Sequence, residues 1–197
     1  MPIRLSAMSL FDPDPFSFEE QPPLVEPPAD HKSPGQPNVD RDQSDTAGVT
    51  RREVFTDGAC KGNPGPGGWG WVIPGEMWSS GAEDPSTNQR MELQAVLHAV
   101  QNLTGPIEVV SDSTYVVNCF KDGWWRGWER RGWRNSQKKS VANQDLWKPL
   151  IALYKERDVT FRWVKGHAGN EWNDKADELA VEAAAGNGSN GEIIPID

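Results

Sequence analysis

All ten tryptophans of this 197-residue chain lie between residues 69 and 172, whereas nine of its 16 prolines come before residue 38. Large aromatic side chains supply much of a hydrophobic core. A Pro-rich stretch of Asp, Glu, Ser and Gln buries too little apolar surface to offset its ordering entropy. We therefore expect a disordered acidic, Pro-rich N-terminal extension at residues 1–50, one folded domain at 51–185 and a flexible C-terminal tail at 186–197.

The charge of the chain follows the same division. The formal net charge of −9 is typical of a protein that repels nucleic acid. However, residues 1–50 carry nine acids and three bases, residues 51–185 carry eighteen acids and seventeen bases, and residues 186–197 carry two acids. The domain itself is nearly neutral, so its charge does not exclude a nucleic-acid substrate.

Several classes of protein are disfavoured by composition. No run approaches the roughly 18 apolar residues of a spanning helix, and the N-terminus lacks the basic and apolar regions of a secretory signal. It also has too few arginines and too many acids for a transit peptide, so we predict a cytoplasmic location. Cys60 and Cys119 are too few for a disulfide framework, and we interpret both as reduced.

Hydrophobic periodicity predicts three strands followed by alternating helices and strands within the domain. The predicted strands are 53–57, 68–73, 77–81, 107–111 and 159–164, and the predicted helices are 88–103, 113–121, 144–155 and 171–184. Pro74-Gly75 marks a hairpin turn between the second and third strands. This order is typical of an α/β fold with a mixed sheet and helices on its faces.

Two acids stand at the ends of predicted strands. Asp57 follows Val-Phe-Thr, and Asp112 follows Val-Val-Ser. If these strands are neighbours, their spacing of roughly 4.8 Å brings both carboxylates into one small volume, where like charges need a cation. The alternative is structural, because Asp57 in a turn and Asp112 at a helix N-cap are also frequent arrangements.

Two further acids lie at the borders of apolar helix faces. With about 100° per residue, Glu92 lies about 75° from the centre of its face, and Asp177 about 115° from the centre of the last helix's face. Asp174 lies about 175° away and is expected to face water. Four carboxylates suit two Mg²⁺ ions rather than zinc, and Mn²⁺ is a possible substitute. Such a pair activates water and stabilises a leaving oxygen.

Several blocks of the sequence resemble type 1 ribonuclease H of the bacterial class. They are TDGAC at 56–60, GNPGPGGWG at 62–70, NQRMEL at 88–93, SDSTYV at 111–116, WVKGHAG at 163–169 and DELA at 177–180. The resemblance covers residues 53–184, and the order and spacing of the blocks make it specific.

The resemblance implies a ribonuclease H-like fold with a five-stranded sheet in the order 3-2-1-4-5, its first three strands antiparallel. It implies an endonuclease that hydrolyses the RNA strand of RNA/DNA hybrids and leaves 5′-phosphate and 3′-hydroxyl ends. The implied metal ligands are Asp57, Glu92, Asp112 and Asp177, and the position of the last block favours Asp177 over Asp174. His167 is the implied proton shuttle; an ordinary surface histidine is the alternative.

Residues 121–148 combine aromatic and basic side chains. They hold five tryptophans and eight bases against three acids, a net charge of +5, which suits a nucleic-acid backbone. The alternative is that the tryptophans pack a helix onto the sheet, as we expect for Trp147 and Trp125. By resemblance, this segment is a basic protrusion that grips the DNA strand, and its contact residues are Trp124, Trp128, Arg130, Arg131, Lys138 and Lys139.

Hybrid recognition also requires sensing of the 2′-hydroxyl, which only RNA presents. By resemblance, the minor-groove contacts are Gly58, Cys60, Asn63 and Gln89, with Asn88 and Thr87 nearer the DNA strand. Thr114 stands where the family often has Gln, and Glu129 where a base is common, which puts one 2′-hydroxyl contact and part of the grip in doubt. We expect little sequence preference, because no residue is evident that reads base edges.

Two other classes of function share parts of this pattern. A non-catalytic hybrid-binding module would lack a carboxylate, and an integrase-like or exonuclease relative would keep the fold but cut another substrate. We expect a monomer that does not bind membranes. The segment AMSLF at 7–11 resembles motifs that dock on the replication sliding clamp, although Ala7 replaces the usual Gln; an apolar patch without a partner is the alternative.

Overall fold

The computed structural model describes residues 50–196, so the segment at 7–11 and the extension up to residue 49 lie outside it. The strands are β1 (Arg52–Cys60), β2 (Gly65–Ile73), β3 (Met77–Ser86), β4 (Ile107–Ser111), β5 (Val159–Trp163) and β6 (Ile194–Pro195). The helices are α1 (Asn88–Asn102), α2 (Thr114–Lys121), α3 (Trp124–Arg130), α4 (Gln144–Glu156) and α5 (Glu171–Ala184).

The strands form one mixed sheet in the order β5-β4-β1-β2-β3-β6. Strands β1, β2 and β3 pair antiparallel, whereas β4 and β5 run parallel to β1. The predicted α/β class and the order 3-2-1-4-5 are therefore confirmed, and a short sixth strand extends the sheet beyond β3.

Each central strand buries side chains on both faces of the sheet. Val54 and Trp71 belong to the larger core, on the side of α1 and α4, whereas Phe55 and Val72 pack with Leu179 of α5 on the other side. Successive residues of a strand point to opposite faces, so neighbours in sequence enter different cores. The central strands are hydrophobic without alternation for this reason.

Glycines in β2 let α5 pack closely against the sheet. A Cβ atom at Gly68 would overlap the backbone of Ala180, and a Cβ at Gly70 would lie 2.7 Å from the Cβ of Leu179. These positions admit no side chain larger than a hydrogen atom while α5 stays in place. The Gly-rich run of β2 is therefore the surface against which α5 packs.

The sequence analysis missed helix α3. Its seven residues are Trp-Trp-Arg-Gly-Trp-Glu-Arg, and Gly123, which precedes it, has a φ of 68°. Such a short helix is not long enough to repeat an apolar pattern. Its tryptophans therefore indicate a nucleic-acid surface or a packed segment but do not predict a helix. Trp125 and Trp128 are buried in the larger core, which is what stabilises the helix.

The C-terminal segment also differs from the expected flexible tail. Strand β6 pairs with Met77 and Trp78 of β3. Upstream of β6, Ser189 Oγ donates to the carbonyl of Ser80 at 3.0 Å and accepts from its backbone N–H at 2.9 Å. Since β3 would otherwise be an edge strand with unpaired polar groups, this segment satisfies them.

No helix within residues 50–196 is long and apolar enough to cross a membrane.

His98 joins α1 to β2 in the interior. Trp71 Nε1 donates to His98 Nδ1 at 2.9 Å, and the ring of Trp69 lies 4.4 Å from that of His98, centroid to centroid. Burial lowers the pKa of His98, although a hydrogen bond with the backbone of Gly191 partly offsets the effect. Protonation of the His98 ring would convert Nδ1 from an acceptor into a donor, so that two donors, Nδ1 and Trp71 Nε1, would face each other.

We predict that acid destabilises the protein partly through His98. Because its pKa is lowered by folding, the unfolded chain binds the proton first, so this contribution is complete above about pH 6.5 and is lost as pH falls. Between pH 7.5 and 5.5, urea unfolding should show that the natural chain loses stability relative to His98→Gln. The exposed His167→Gln should follow the natural chain; the same change of stability in all three proteins would contradict the prediction.

Candidate active site

Asp57 and Asp112 lie side by side in the centre of the sheet. The parallel register of β1 and β4 pairs Phe55 with Val110, so Asp57 and Asp112, each two residues further on, follow at the same level. Asp57 is only 8% exposed, and Asp112 is half-buried. The two carboxylates therefore come together, but Asp57 lies inside β1, three residues before its end at Cys60, rather than at the predicted strand end.

Glu92 reaches this position because α1 touches β1 at a glycine. A Cβ atom at Gly58 would overlap the backbone of Met91 and Glu92. The side chain of Glu92 is then held at both oxygens. Ser113 Oγ donates to Oε2 at 2.5 Å, and Asn88 Nδ2 donates to Oε1 at 3.0 Å.

Asp177 reaches the site because α5 packs on the glycines of β2. Gly70, which contacts Ala176 and Ala180 of α5, is the register partner of Asp57. Asp177 is half-buried and close enough for its charge to raise the pKa of Asp57. Asp174 is exposed and lines a separate groove with Trp172. This placement favours Asp177 over Asp174, as the helix geometry predicts.

The electrostatics of the site are those of a crowded set of acids. Burial raises the pKa of Asp57 to about 8, with further increases from the negative charges of Asp112, Asp177 and Glu92. Burial also raises the pKa of Glu92 to about 7; Asp112 adds to the increase, and the hydrogen bond from Ser113 opposes it. Perturbed acids of this kind are concentrated at functional sites.

The carboxylates are turned towards donors of the protein. The N–H of Gly58 donates to Asp57 Oδ1 at 2.7 Å, and Asn173 Nδ2 donates to Asp112 Oδ2 at 3.4 Å. Within residues 50–196, no three His, Cys, Asp or Glu side chains are already arranged as a metal site. The set of donors fits Mg²⁺ in its chemistry, because it is made of carboxylate oxygens with mutual repulsion that a cation relieves.

His167 lies in an exposed loop between β5 and α5, with a φ of 51°. One residue earlier, the backbone of Gly166 lies directly against Asp112 Oδ2, where no Cβ atom would fit. The loop thus passes close to a carboxylate of the site while His167 itself stays exposed. An imidazole there is able to exchange protons with solvent.

The family model for RNase H matches residues 50–185. The chain belongs to the ribonuclease H family. It is therefore an enzyme of the ribonuclease H class, as the resemblance implied.

Individual relatives agree with this assignment to the ribonuclease H family. The Ribonuclease H of Syntrophomonas wolfei subsp. wolfei is 52% identical over 136 residues, which cover 66% of this chain and 93% of that protein. The Ribonuclease H of Zymomonas mobilis subsp. mobilis is 50% identical over 136 residues, with coverages of 66% and 86%. The crystal structure of LC9-RNase H1, a type 1 RNase H with the type 2 active-site motif, superposes with a TM-score of 0.62 at 29% identity, covering 76% of this chain and 80% of that one.

The residues expected at the minor groove of a hybrid lie on β1, in the loop after it and on the first turns of α1 and α2. Asn63 and Asn88 are exposed and touch each other, since the Asn88 N–H donates to Asn63 Oδ1 at 3.3 Å. Gln89 is half-buried, and Thr114 is exposed on the first turn of α2. Cys60 is tied inward, because its Sγ donates to the carbonyls of Gly65 and Ser86 at 3.4 Å.

The basic, aromatic segment divides into a packed part and an exposed part. Trp147 and Trp125 are buried, as expected, and so is Trp128, which is 9% exposed and meets Trp147 edge to face. Trp124 is half-buried. The exposed bases of the segment are Lys121, Arg126, Arg130, Arg131, Arg134, Lys138, Lys139 and Lys148. Glu129 forms an ion pair with Lys155 at 2.6 Å.

The polar residues that hold the carboxylates are not predicted from the sequence. Ser113 belongs to a block of the resemblance, and Asn173 belongs to none. Helical spacing contains a usable signal for Asn88, which stands four residues before Glu92 and therefore lies on the same helix face. The bond from Trp163 Nε1 to the Asp112 carbonyl, at 3.0 Å, follows no local rule.

We predict that Gly58→Ala displaces Glu92 from the site. The added methyl group forces β1 and α1 apart, which costs about 1–3 kcal/mol of stability as overpacking and lowers activity more than stability alone explains. Chemical unfolding and an activity assay measure the two effects. Gly127→Ala is the control, because a Cβ there meets only the guanidinium of Arg131. Equal activity in the two variants would contradict this role of Gly58.

Proposed function

We propose that the protein is an endonuclease that hydrolyses the RNA strand of RNA/DNA hybrids and leaves 5′-phosphate and 3′-hydroxyl ends. The observation that carries the proposal is the meeting of four acids from β1, α1, β4 and α5, close enough for three of them to raise the pKa of the fourth, Asp57. Membership of the ribonuclease H family supports the same reaction class.

Two Mg²⁺ ions would be held by Asp57, Glu92, Asp112 and Asp177, with Mn²⁺ as a substitute. Bound there, they would supply an activated water and stabilise the leaving oxygen of the phosphodiester. The chain contributes the fixed orientation of its ligands. Ser113 and Asn88 fix Glu92, and the N–H of Gly58 fixes Asp57.

His167 is the proposed proton carrier. Its loop passes beside Asp112 at Gly166, and the imidazole is exposed. A neutral imidazole in this position accepts a proton from the attacking water, and the protonated ring delivers it to the leaving group or to solvent. His98 is half-buried and hydrogen bonded to Trp71, and His31 lies outside the described residues.

Recognition of the hybrid would use two surfaces. Around the carboxylates, Gly58, Cys60, Asn63, Gln89 and Thr114 would face the RNA minor groove and its 2′-hydroxyls, with Asn88 nearer the DNA strand. The exposed bases of residues 121–148, Arg130, Arg131, Lys138 and Lys139 among them, would bind the DNA phosphates beside Trp124. With Trp128 buried, its contribution would be to support this surface by packing.

The cellular setting is also part of the proposal. We infer a monomer that works in the cytoplasm, and a docking role on replication proteins for residues 7–11. Size-exclusion chromatography with light scattering measures the first property. Binding of a peptide with the sequence of residues 1–15 to the isolated replication clamp measures the last.

We predict that Asp57→Asn separates binding from cleavage. The substitution keeps the shape of the side chain but removes a cation ligand, so the variant should bind a labelled hybrid and lose nearly all Mg²⁺-dependent cleavage, on the order of a hundredfold or more. Gel-shift and cleavage assays with the same hybrid measure both. Full cleavage by the variant would refute the site.

The matched control is Asp174→Asn, which makes the same chemical change on the exposed side of α5. It should cleave like the natural chain. The same assay with an RNA duplex and a DNA duplex tests the substrate. Equal cleavage of either duplex would favour an integrase-like or exonuclease relative, and binding without cleavage by the natural chain would favour a non-catalytic module.

A further inference from the structure

Asn173 is a buried amide at the edge of the site. It is 1% exposed, and its Nδ2 donates to Asp112 Oδ2 at 3.4 Å. Its own backbone N–H donates to Asn170 Oδ1, the cap of α5, at 3.2 Å. The first turn of α5 therefore presents this amide to Asp112.

Within residues 50–196, the carbonyl oxygen of the Asn173 side chain is the unsatisfied end of the amide. Asn173 Oδ1 is buried and has no hydrogen-bond partner among the described residues. A buried polar atom without a partner destabilises a fold, whereas an apolar side chain of the same shape carries no such cost. Stability alone does not explain an asparagine here, and its contact with Asp112 is the remaining explanation.

The loop that holds His167 passes beside the same oxygen of Asp112, Oδ2. Gly166 lies directly against Asp112 Oδ2, so α5 and the loop meet at one carboxylate oxygen. From a third direction, Trp163 Nε1 donates to the backbone carbonyl of Asp112. Trp163 of β5 and Asn173 of α5 thus hold Asp112 by hydrogen bonds, and of the two Asn173 is the one that acts on the carboxylate.

We propose that Asn173 is a positioning residue that orients the Asp112 carboxylate for a divalent cation and keeps it in register with the His167 loop. The inference rests on the proposed function, because it assigns to Asp112 the role of a cation ligand. Groups that orient ligands in this way typically change metal affinity by about tenfold or more when removed.

The decisive variant is Asn173→Leu, which keeps the branched shape but cannot donate. In the full chain, it should unfold at the same temperature as the natural protein or higher. Titration with Mg²⁺ alone, followed by the backbone amide shifts of Gly58 and Asp112 in NMR spectra, should show a dissociation constant raised on the order of tenfold. On labelled hybrid, kcat should fall while KM changes less than about twofold.

Two comparisons make the result specific. Asp174→Asn changes an exposed side chain on the same turn of α5, so it should leave both the unfolding temperature and the Mg²⁺ affinity nearly unchanged. If Asn173→Leu does not fold, Asn173→Ala takes its place. The same losses of Mg²⁺ affinity and of kcat are then expected. Natural Mg²⁺ affinity and kcat in either folded Asn173 variant would overturn the inference, whereas absence of hybrid cleavage by the natural chain would overturn the proposed function.

Discussion

Four carboxylates are gathered around Asp57 of β1 and Asp112 after β4, where the fold must hold them against burial and mutual repulsion. Burial first, and then the negative charges of Asp112, Asp177 and Glu92, raise the pKa of Asp57 to about 8. The fold imposes the arrangement through close backbone contacts. Gly58 admits α1 with Glu92, and Gly68 and Gly70 admit α5 with Asp177. A protein selected for stability alone would not place its acids in this way.

The distribution of charge in the domain follows from this arrangement. Residues 51–185 have eighteen acids and seventeen bases, yet four of the acids are gathered in the site and eight of the bases fall within residues 121–148. One surface thus attracts cations, while another attracts phosphates. The overall charge of −9 hides both, because eight of the nine excess negative charges belong to the terminal segments.

The succession of strands and helices and the choice of candidate acids could be predicted because they depend on local patterns, whereas the sheet order 3-2-1-4-5 was implied by the resemblance to ribonuclease H. Asp57 and Asp112 follow β-branched or aromatic runs, and Glu92 and Asp177 border helical apolar faces. By contrast, α3 is too short for periodicity, and β6 forms only because β3 offers an unpaired edge. The contact of Asn173 with Asp112 joins residues 61 apart in sequence, so no local pattern shows it.

The most direct test of the central claim is the thermal unfolding of the Mg²⁺-free protein and its Asp57→Asn variant at pH 8 and pH 5. Since the pKa of Asp57 rises on folding, the contribution of Asp57 to the stability of the natural chain falls as pH increases from about 4 to 8. Asp57→Asn should unfold at a higher temperature at pH 8, by about 2–4 °C per kcal/mol of relieved repulsion, with a smaller difference at pH 5. Excess Mg²⁺ should raise the unfolding temperature of the natural chain more than that of the variant. A variant less stable at pH 8, or a natural chain indifferent to Mg²⁺, would contradict the account.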